Sequence, residues 1–387
     1  MRGNLIKLRR LKPDPLNLLV NTIVGSINEI LSFPQWGGFF LWEEIIMKKL
    51  MALLSAALLA LSMTACGGTA NKAASASSSK ATADSKLEDF DLILDWYPNA
   101  VHSFIYDAIE KGYYADEGLK VNIKFPANNT DPLSLSAAGK ADAGLYYQDD
   151  VIIARAAENI PVKAIGTVVQ EPLDLIASIA DKNIKSPKDL KGKTVGYTGI
   201  KFGEAVIKSM LNSEGLKMDD IKLINVGFDL MSSMTTGNVD ATFGCFINHE
   251  IPMLEKEGFK MNCMKLTDYG VPNYYSLVFV AGEKNLEKNP EKYEKFMRAT
   301  KKGFEDMKND PDGTLKILLA SQDKANYPLD PDVEKKSMSI LLPMMEKENS
   351  PFLTQDPKCY QENIDWLYKN GLIPKKVNPS DMYVDIK

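Results

Sequence analysis

One pattern occurs twice in this chain, and two copies in register dictate two similar units. Glu117-Gly118-Leu119-Lys120 precedes one β-like run and Glu214-Gly215-Leu216-Lys217 precedes another. Further on, Gly139-Lys140-Ala141-Asp142-Ala143 is answered, at nearly the same offset, by Gly237-Asn238-Val239-Asp240-Ala241. Each glycine suits a helix that ends in the left-handed conformation, and each Asp-Ala leads into a strand. A helix–turn–strand–helix–turn–strand unit is therefore present twice.

The surrounding sequence has the same character. From Asp89 on, β-like runs (91–94, 121–125, 143–146, 162–169, 175–178, 194–196, 221–226, 241–246 and 277–281) alternate with amphipathic helical runs (103–111, 133–138, 151–159, 204–214, 231–235 and 251–257). Alternation of this kind gives an α/β fold with mainly parallel sheets. The tail reads as helices at 290–308, 312–320, 331–345 and 358–369, expected to pack back on the first lobe. The expected division is lobe 1 from 89–181 plus 276–387 and lobe 2 from 182–275. The lobes are joined by a hinge, with a cleft between them that closes on a ligand.

The first ninety residues read differently. Met47-Lys48-Lys49-Leu50 opens a basic segment, Met51–Met63 is apolar, and Thr64-Ala65-Cys66-Gly67-Gly68 supplies small residues at a cut. That order describes a secretory signal over 47–65, too short to span a membrane comfortably. The Met-Thr-Ala-Cys ending resembles a bacterial lipobox with Met63 in place of the usual leucine, which implies cleavage before Cys66 and lipid on its sulfur. Residues 66–88, rich in Ala, Ser and Lys, read as a flexible tether. Residues 1–46 precede the signal. The codons of Trp42-Glu43-Glu44 can spell a ribosome-binding site, so translation is expected to start at Met47, with 1–46 a leader. The expected location is the extracytoplasmic face of the cell membrane, held by the lipid.

Composition narrows the partners. The net charge of −5 comes without a dense basic block beyond the signal, so nucleic acid is not an expected partner. After Cys66 the only arginines are Arg155 and Arg298. An anion site usually wants the bidentate guanidinium, so a neutral or cationic ligand is favoured, although a helix N-terminus can still hold an anion. Cys245, Cys263 and Cys359 have neither disulfide nor metal spacing and read as apolar core thiols. No serine nucleophile elbow, HExxH, GxxxxGK[ST] or GxGxxG is present. Neither catalytic residues, nor a metal, nor a cofactor is expected.

Loops at the strand ends carry the chemistry. They hold the aromatics Trp96-Tyr97, Tyr146-Tyr147, Tyr197, Phe202 and Tyr274-Tyr275, beside Asp95, Asn99, His102, Gln148, Asp149, Glu204, Asn248 and His249. Aromatic faces stack on a flat heteroaromatic ring, and carboxylates and amides read its amino and ring-nitrogen groups. Alternate strand residues point opposite ways, so one member of each doublet is expected in the cleft. The ligand set is Asp95, Trp96, Asn99, His102, Tyr146, Tyr147, Gln148, Tyr197, Glu204, Asn248 and Tyr274.

The stretch 95–123, DWYPNAVHSFIYDAIEKGYYADEGLKVNI, resembles the family that unites thiamine-pyrimidine solute-binding proteins with the fungal thiamine pyrimidine synthase. Residues 137–150, 159–170 and 186–199 continue the likeness. The resemblance implies a type 2 periplasmic-binding-protein fold and a binding protein, expected as a monomer, that serves the permease and ATPase subunits of an ABC importer. Its ligand would be a formylated aminopyrimidine or a similar flat heterocycle; related branches take riboflavin or aliphatic sulfonates. His102 aligns with the histidine that the synthase consumes, and Gly196–Glu204 with its phosphate loop. The synthase's Cys-rich run is replaced here by Val271-Pro272-Asn273-Tyr274-Tyr275. Enzyme and signalling module remain as alternatives to the importer reading.

Overall fold

The computed structural model describes residues 87–128, 130–227, 229–322 and 328–386. The expected leader, signal segment, Cys66 and nearly all of the tether lie outside the described residues. The first strand starts at Glu88, so the tether's expected last residue already belongs to the sheet.

Two five-stranded sheets form two lobes. The first contains β1 (Glu88–Ile93), β2 (Leu119–Lys124), β3 (Ala143–Tyr146), β4 (Val162–Val169) and β10 (Leu277–Gly282), in the order β2-β1-β3-β10-β4. The second contains β5 (Asp174–Ile179), β6 (Thr194–Tyr197), β7 (Lys222–Asn225), β8 (Ala241–Phe246) and β9 (Met261–Lys265), in the order β7-β6-β8-β5-β9. The two orders correspond strand for strand, and the repeated sequence sits at matching points. Ala143 pairs with Leu92 on β1 as Ala241 pairs with Val195 on β6. Asp142 Oδ2 accepts the N–H of Asp91 at 2.8 Å, and Asp240 Oδ2 accepts that of Thr194 at 3.0 Å. Each repeated aspartate thus closes the open start of a parallel strand pair. The repeated glycines have φ of 79° and 76° (Gly118, Gly215) and 69° and 77° (Gly139, Gly237), the left-handed region where a side chain is strained.

Two expectations are corrected. The sheets are mixed: β10 runs antiparallel to β3 and β4, and β5 antiparallel to β8 and β9. The reason is topological. A strand that enters a lobe across the hinge begins at the cleft and must run away from it, against strands that end there. The lobe boundary also moves from 181/182 to residues 170–173, because Asp174–Ile179 pairs in the second sheet. The return crossing occupies 270–276. The crossovers are tied together: Asn273 Nδ2 donates to the Gln170 carbonyl at 3.0 Å, and Gln170 Nε2 donates to those of Met345 and Ser350.

Helices α1 (Ser103–Glu110), α2 (Tyr113–Asp116), α3 (Asp131–Ala137) and α4 (Gln148–Glu158) belong to the first lobe; α5 (Lys201–Ser213), α6 (Leu230–Thr235) and α7 (Glu250–Lys256) belong to the second. After β10 come α8 (Glu283–Lys288), α9 (Pro290–Asn309), α10 (Pro311–Ser321), α11 (Pro331–Met345) and α12 (Pro357–Lys369). The last four each begin with proline at the first turn, where its missing N–H costs nothing. Asp310, Asp330 and Asp356 cap three of them through their carboxylates. Helix α3 lies flush on the first sheet because Gly144 and Gly282 lack Cβ atoms, which would stand 2.4 Å from the carbonyl oxygens of Pro132 and Ser136. Among the described residues no helix is long and apolar enough to cross a membrane.

Candidate functional site

The parallel strands β1, β3, β6 and β8 all end on the side where the lobes face each other, the edge at which open α/β sheets bind ligands. The loop after β1 forms one wall. Trp96 stands 41% exposed, its ring edge-on to Tyr97 at 5.9 Å. The residues around it are consumed by structure. His102 is fully buried; Nδ1 accepts the Asn99 N–H at 3.2 Å and Nε2 lies 2.9 Å from Asp95 Oδ1. A ring whose Nδ1 accepts carries its proton on Nε2, so Nε2–H donates to the carboxylate. Asn99 Oδ1 accepts the Val101 N–H and Nδ2 donates to the Tyr97 carbonyl. Asn99 and His102, expected to meet the ligand, spend these bonds within the loop that carries Trp96.

The same division runs through the second loop. Gln148, also expected at the ligand, is buried; Oε1 accepts the Tyr275 N–H at 2.9 Å and Nε2 points to Cys359 Sγ. Tyr146 is buried and Tyr147 half-buried, their rings 5.0 Å apart. Tyr275 turns away, its hydroxyl accepting the N–H of Asp356, whereas the Tyr274 hydroxyl donates to Asp174 Oδ2 at 3.0 Å. This last bond joins the residue that opens β5 to the segment leading into β10, across the two crossovers. Asp174 is not among the expected residues. An acidic residue opening an otherwise apolar strand is its only signal in the sequence.

Asp149, Asp150 and Asp174 gather beside Tyr147 and Tyr274. Burial pushes Asp149 well above the usual carboxylate range, and the neighbouring charges of Asp150 and Asp174 push it further. Burial, with Glu158 and Asp174, raises Asp150 to about 6. Burial also raises Asp174 to about 6, against the lowering effect of the Tyr274 hydrogen bond. Burial and the charges of Asp95 and Asp174 push the Tyr147 phenol up, so it stays a neutral donor. No lysine or arginine pairs with these carboxylates among the described residues. Arg155 is spent on the Val162 carbonyl and Glu283, and Arg298 on Glu117.

The second lobe supplies the opposite wall. The Tyr197 hydroxyl donates to Glu204 Oε1 at 2.5 Å, and Glu204 is exposed on the first turn of α5. Gly199, with φ 84°, turns the chain into that helix. Phe202 is buried between Tyr274 and Trp366, with centroids 5.7 and 5.8 Å away. Asn248 is buried against the first lobe, Nδ2 donating to Ser337 Oγ on α11 at 3.1 Å. His249 sits beside Glu250, 3.2 Å from Nδ1 to Oε1, and feels the charge of Glu334. Asn248, expected at the ligand, thus joins lobe to lobe, with His249 close to the same contact. Among the described residues no group of three His, Cys, Asp or Glu side chains could hold a metal ion.

Known proteins share this chain's sequence and its fold. Residues 99–314 match the family described as NMT1/THI5 like. A formylaminopyrimidine-binding protein of Halalkalibacterium halodurans is 43% identical over 313 residues, 81% of this chain and 94% of the relative. A 4-amino-5-hydroxymethyl-2-methylpyrimidine phosphate synthase of Aspergillus parasiticus is 29% identical, over 54% of this chain and 64% of the relative. Among solved structures, the periplasmic aliphatic sulphonate binding protein of Escherichia coli superposes with a TM-score of 0.61 at 17% identity, over 76% of this chain and 97% of that one. The fold is that of the periplasmic binding proteins.

Proposed function

The chain belongs to the NMT1/THI5-like family, and from that premise we propose that it is the extracytoplasmic solute-binding component of an ABC importer and captures an aminopyrimidine of the formylaminopyrimidine type. The observation that carries the ligand class is the make-up of the strand-end surface: exposed Trp96 and half-buried Tyr147 beside Asp150, Asp174 and Glu204, with Tyr274 and Asp149 buried and both arginines engaged elsewhere. Aromatic faces accept a flat ring, and carboxylates accept hydrogen bonds from its amino groups. A sulfonate would meet like charge there, which disfavours the sulfonate reading although the fold is shared. The name of the Halalkalibacterium relative points to the same ligand.

Binding without catalysis is the accompanying reading. His102, the residue an enzyme of the synthase type would consume, is buried with both nitrogens engaged, and Val271–Tyr275 offers no cysteine. Export and lipid attachment at Cys66 complete the proposal, on the basic, apolar and small-residue segments that precede it.

Calorimetric titration with formylaminopyrimidine, hydroxymethylpyrimidine, thiamine, riboflavin and taurine tests the ligand. Saturable binding of a pyrimidine is expected; binding of taurine alone overturns the assignment. Pyrimidine formation by the purified protein with pyridoxal phosphate and iron would overturn the non-enzymatic reading. A mature N-terminal peptide that carries no lipid mass on Cys66 would overturn the anchor.

A further inference from the structure

We infer that His102 is a positioning residue: it fixes the loop that presents Trp96 to the solute and does not touch the solute itself. The inference rests on the reading of Trp96 as the stacking residue. The loop from Asp95 to Asn99 crosses from the end of β1 to the short 3-10 turn Ala100–His102. An aromatic carried on a loop binds more tightly when the loop is already ordered, because ordering it on binding costs affinity. His102 holds the loop from inside. Its two nitrogens grip the two ends of the loop, Nε2 the Asp95 carboxylate and Nδ1 the Asn99 N–H.

The arrangement is a capping box. Asn99 is the cap, and His102 occupies the third position, where glutamate or glutamine usually returns the bond to the cap's N–H. Histidine adds what glutamate cannot, a second nitrogen that donates to Asp95. The next amide is held from outside, since Ala100 N–H donates to Glu334 Oε2 on α11 at 2.7 Å. The Val101 and His102 amides are taken by Asn99 Oδ1 and the Asn99 carbonyl. Every N–H from Asn99 to His102 is thereby satisfied by a named group, which fixes the end of the loop that follows Trp96.

The full chain labelled with 5-fluorotryptophan gives a direct readout by fluorine NMR without ligand. The Trp96 and Trp366 resonances are identified by their loss in Trp96→Phe and Trp366→Phe. A single Trp96 signal is expected in the parent protein. His102→Leu should shift or broaden it while the Trp366 signal stays in place. His102→Gln keeps one acceptor and one donor and should restore it. Pyrimidine affinity should fall about tenfold in the leucine variant, the loss of two hydrogen bonds, and recover in the glutamine variant. A Trp96 signal unchanged in His102→Leu, or a change shared equally by Trp366, overturns the inference. Should the leucine variant fail to fold, Asp95→Ala removes the partner of Nε2 and is expected to disturb the same signal; an undisturbed signal there overturns the inference too. Failure of the parent protein to bind any pyrimidine would sink the functional reading, while the fluorine signal would still decide whether His102 holds the loop.

Discussion

Replacing Asp174 by asparagine should make the ligand-free protein more stable at neutral pH and poorer at its task. Burial lifts this carboxyl from 3.8 to about 6, so the folded protein holds the proton more tightly than the unfolded chain. Between those values the native state binds more protons, and stability falls as pH rises. Above pH 6 the charged carboxylate costs the native state about 3 kcal/mol, from the displacement of its titration at about 1.4 kcal/mol per pH unit. Below pH 4 both states are protonated and the cost vanishes.

Asparagine carries no charge and keeps an acceptor for the Tyr274 hydroxyl, which donates to Oδ2 at 3.0 Å in the parent. At pH 7.5 the variant should therefore melt about 5 °C higher, given roughly 2 cal/mol/K of unfolding entropy per residue. At pH 4 the difference should shrink to about 1 °C. Pyrimidine binding should weaken about tenfold to a hundredfold, because a charge-assisted acceptor becomes a neutral one. Thermal melts from pH 4 to 8 in parallel with titration calorimetry give all three quantities. A variant that melts lower than the parent at pH 7.5, or a difference that does not change with pH, refutes the reasoning that this carboxylate is held for a ligand at the expense of stability.

Three further outcomes follow from other parts of the molecule. At His249, burial pulls the pKa down but the hydrogen bond and charge of Glu250, with Glu334 behind, outweigh it, and the pKa lies above 6.5. Its stabilising contribution is complete below pH 6.5 and disappears as pH rises through the folded value; His249→Gln should flatten that part of the melting profile, and an unaltered slope would count against the assignment. Gly303→Ala on α9 would place a Cβ 2.2 Å from the Phe104 carbonyl oxygen of α1, so denaturant titration should show a loss of at least about 1–3 kcal/mol, with ligand affinity kept by the folded fraction. Asp142→Ala and Asp240→Ala should each cost about 1–3 kcal/mol by freeing the N–H of Asp91 or Thr194, and hydrogen exchange should localise each loss to its own lobe.

The repeat is legible in the sequence because its residues answer to local rules. A left-handed glycine and a strand-opening aspartate are fixed by their own backbone, wherever the lobe lies. The tail helices are legible for a similar reason: each carries an amphipathic run behind a proline. Sheet membership is not local. Leu175–Ser178 reads as a buried strand in either lobe, and only its pairing with Phe243 and Cys245 on β8 settles which. Met261–Lys265 does not read as a strand at all, because Met, Asn and Lys lack strand preference and the segment lies on the sheet edge. In the candidate site, residue type marks the strand-end loops but not the direction of each side chain. Asn99 and His102 are polar residues at a strand end, which describes a ligand contact and a helix cap equally well; the distances between them tell the two apart.

The lobes are equivalent in their sheets but not in what surrounds them, and that difference bears on closure. Beyond the crossovers, the first lobe's tail reaches the second lobe along α11. Ser337 takes the Asn248 amide, Lys256 of α7 meets Asp330 and Asp332, and Lys336 pairs with Glu255. Exposed ion pairs of this kind contribute at most about 1 kcal/mol each. The buried Asn248 also leaves its Oδ1 without a hydrogen-bond partner among the described residues, an omission that costs at least about as much as one such pair returns. The polar contacts between α7 and α11 are therefore worth a few kcal/mol at most. A binding protein needs a contact there that is neither strong nor absent. If the lobes adhered strongly without solute, closure would carry no information, and if they adhered not at all, closure would have to be driven by the solute alone. The stronger forces lie at the strand ends, where Asp149, Asp150 and Asp174 crowd together without a cation among the described residues. Under the proposed function, amino hydrogens brought to that surface by the solute would relieve this repulsion and so contribute to the free energy of binding.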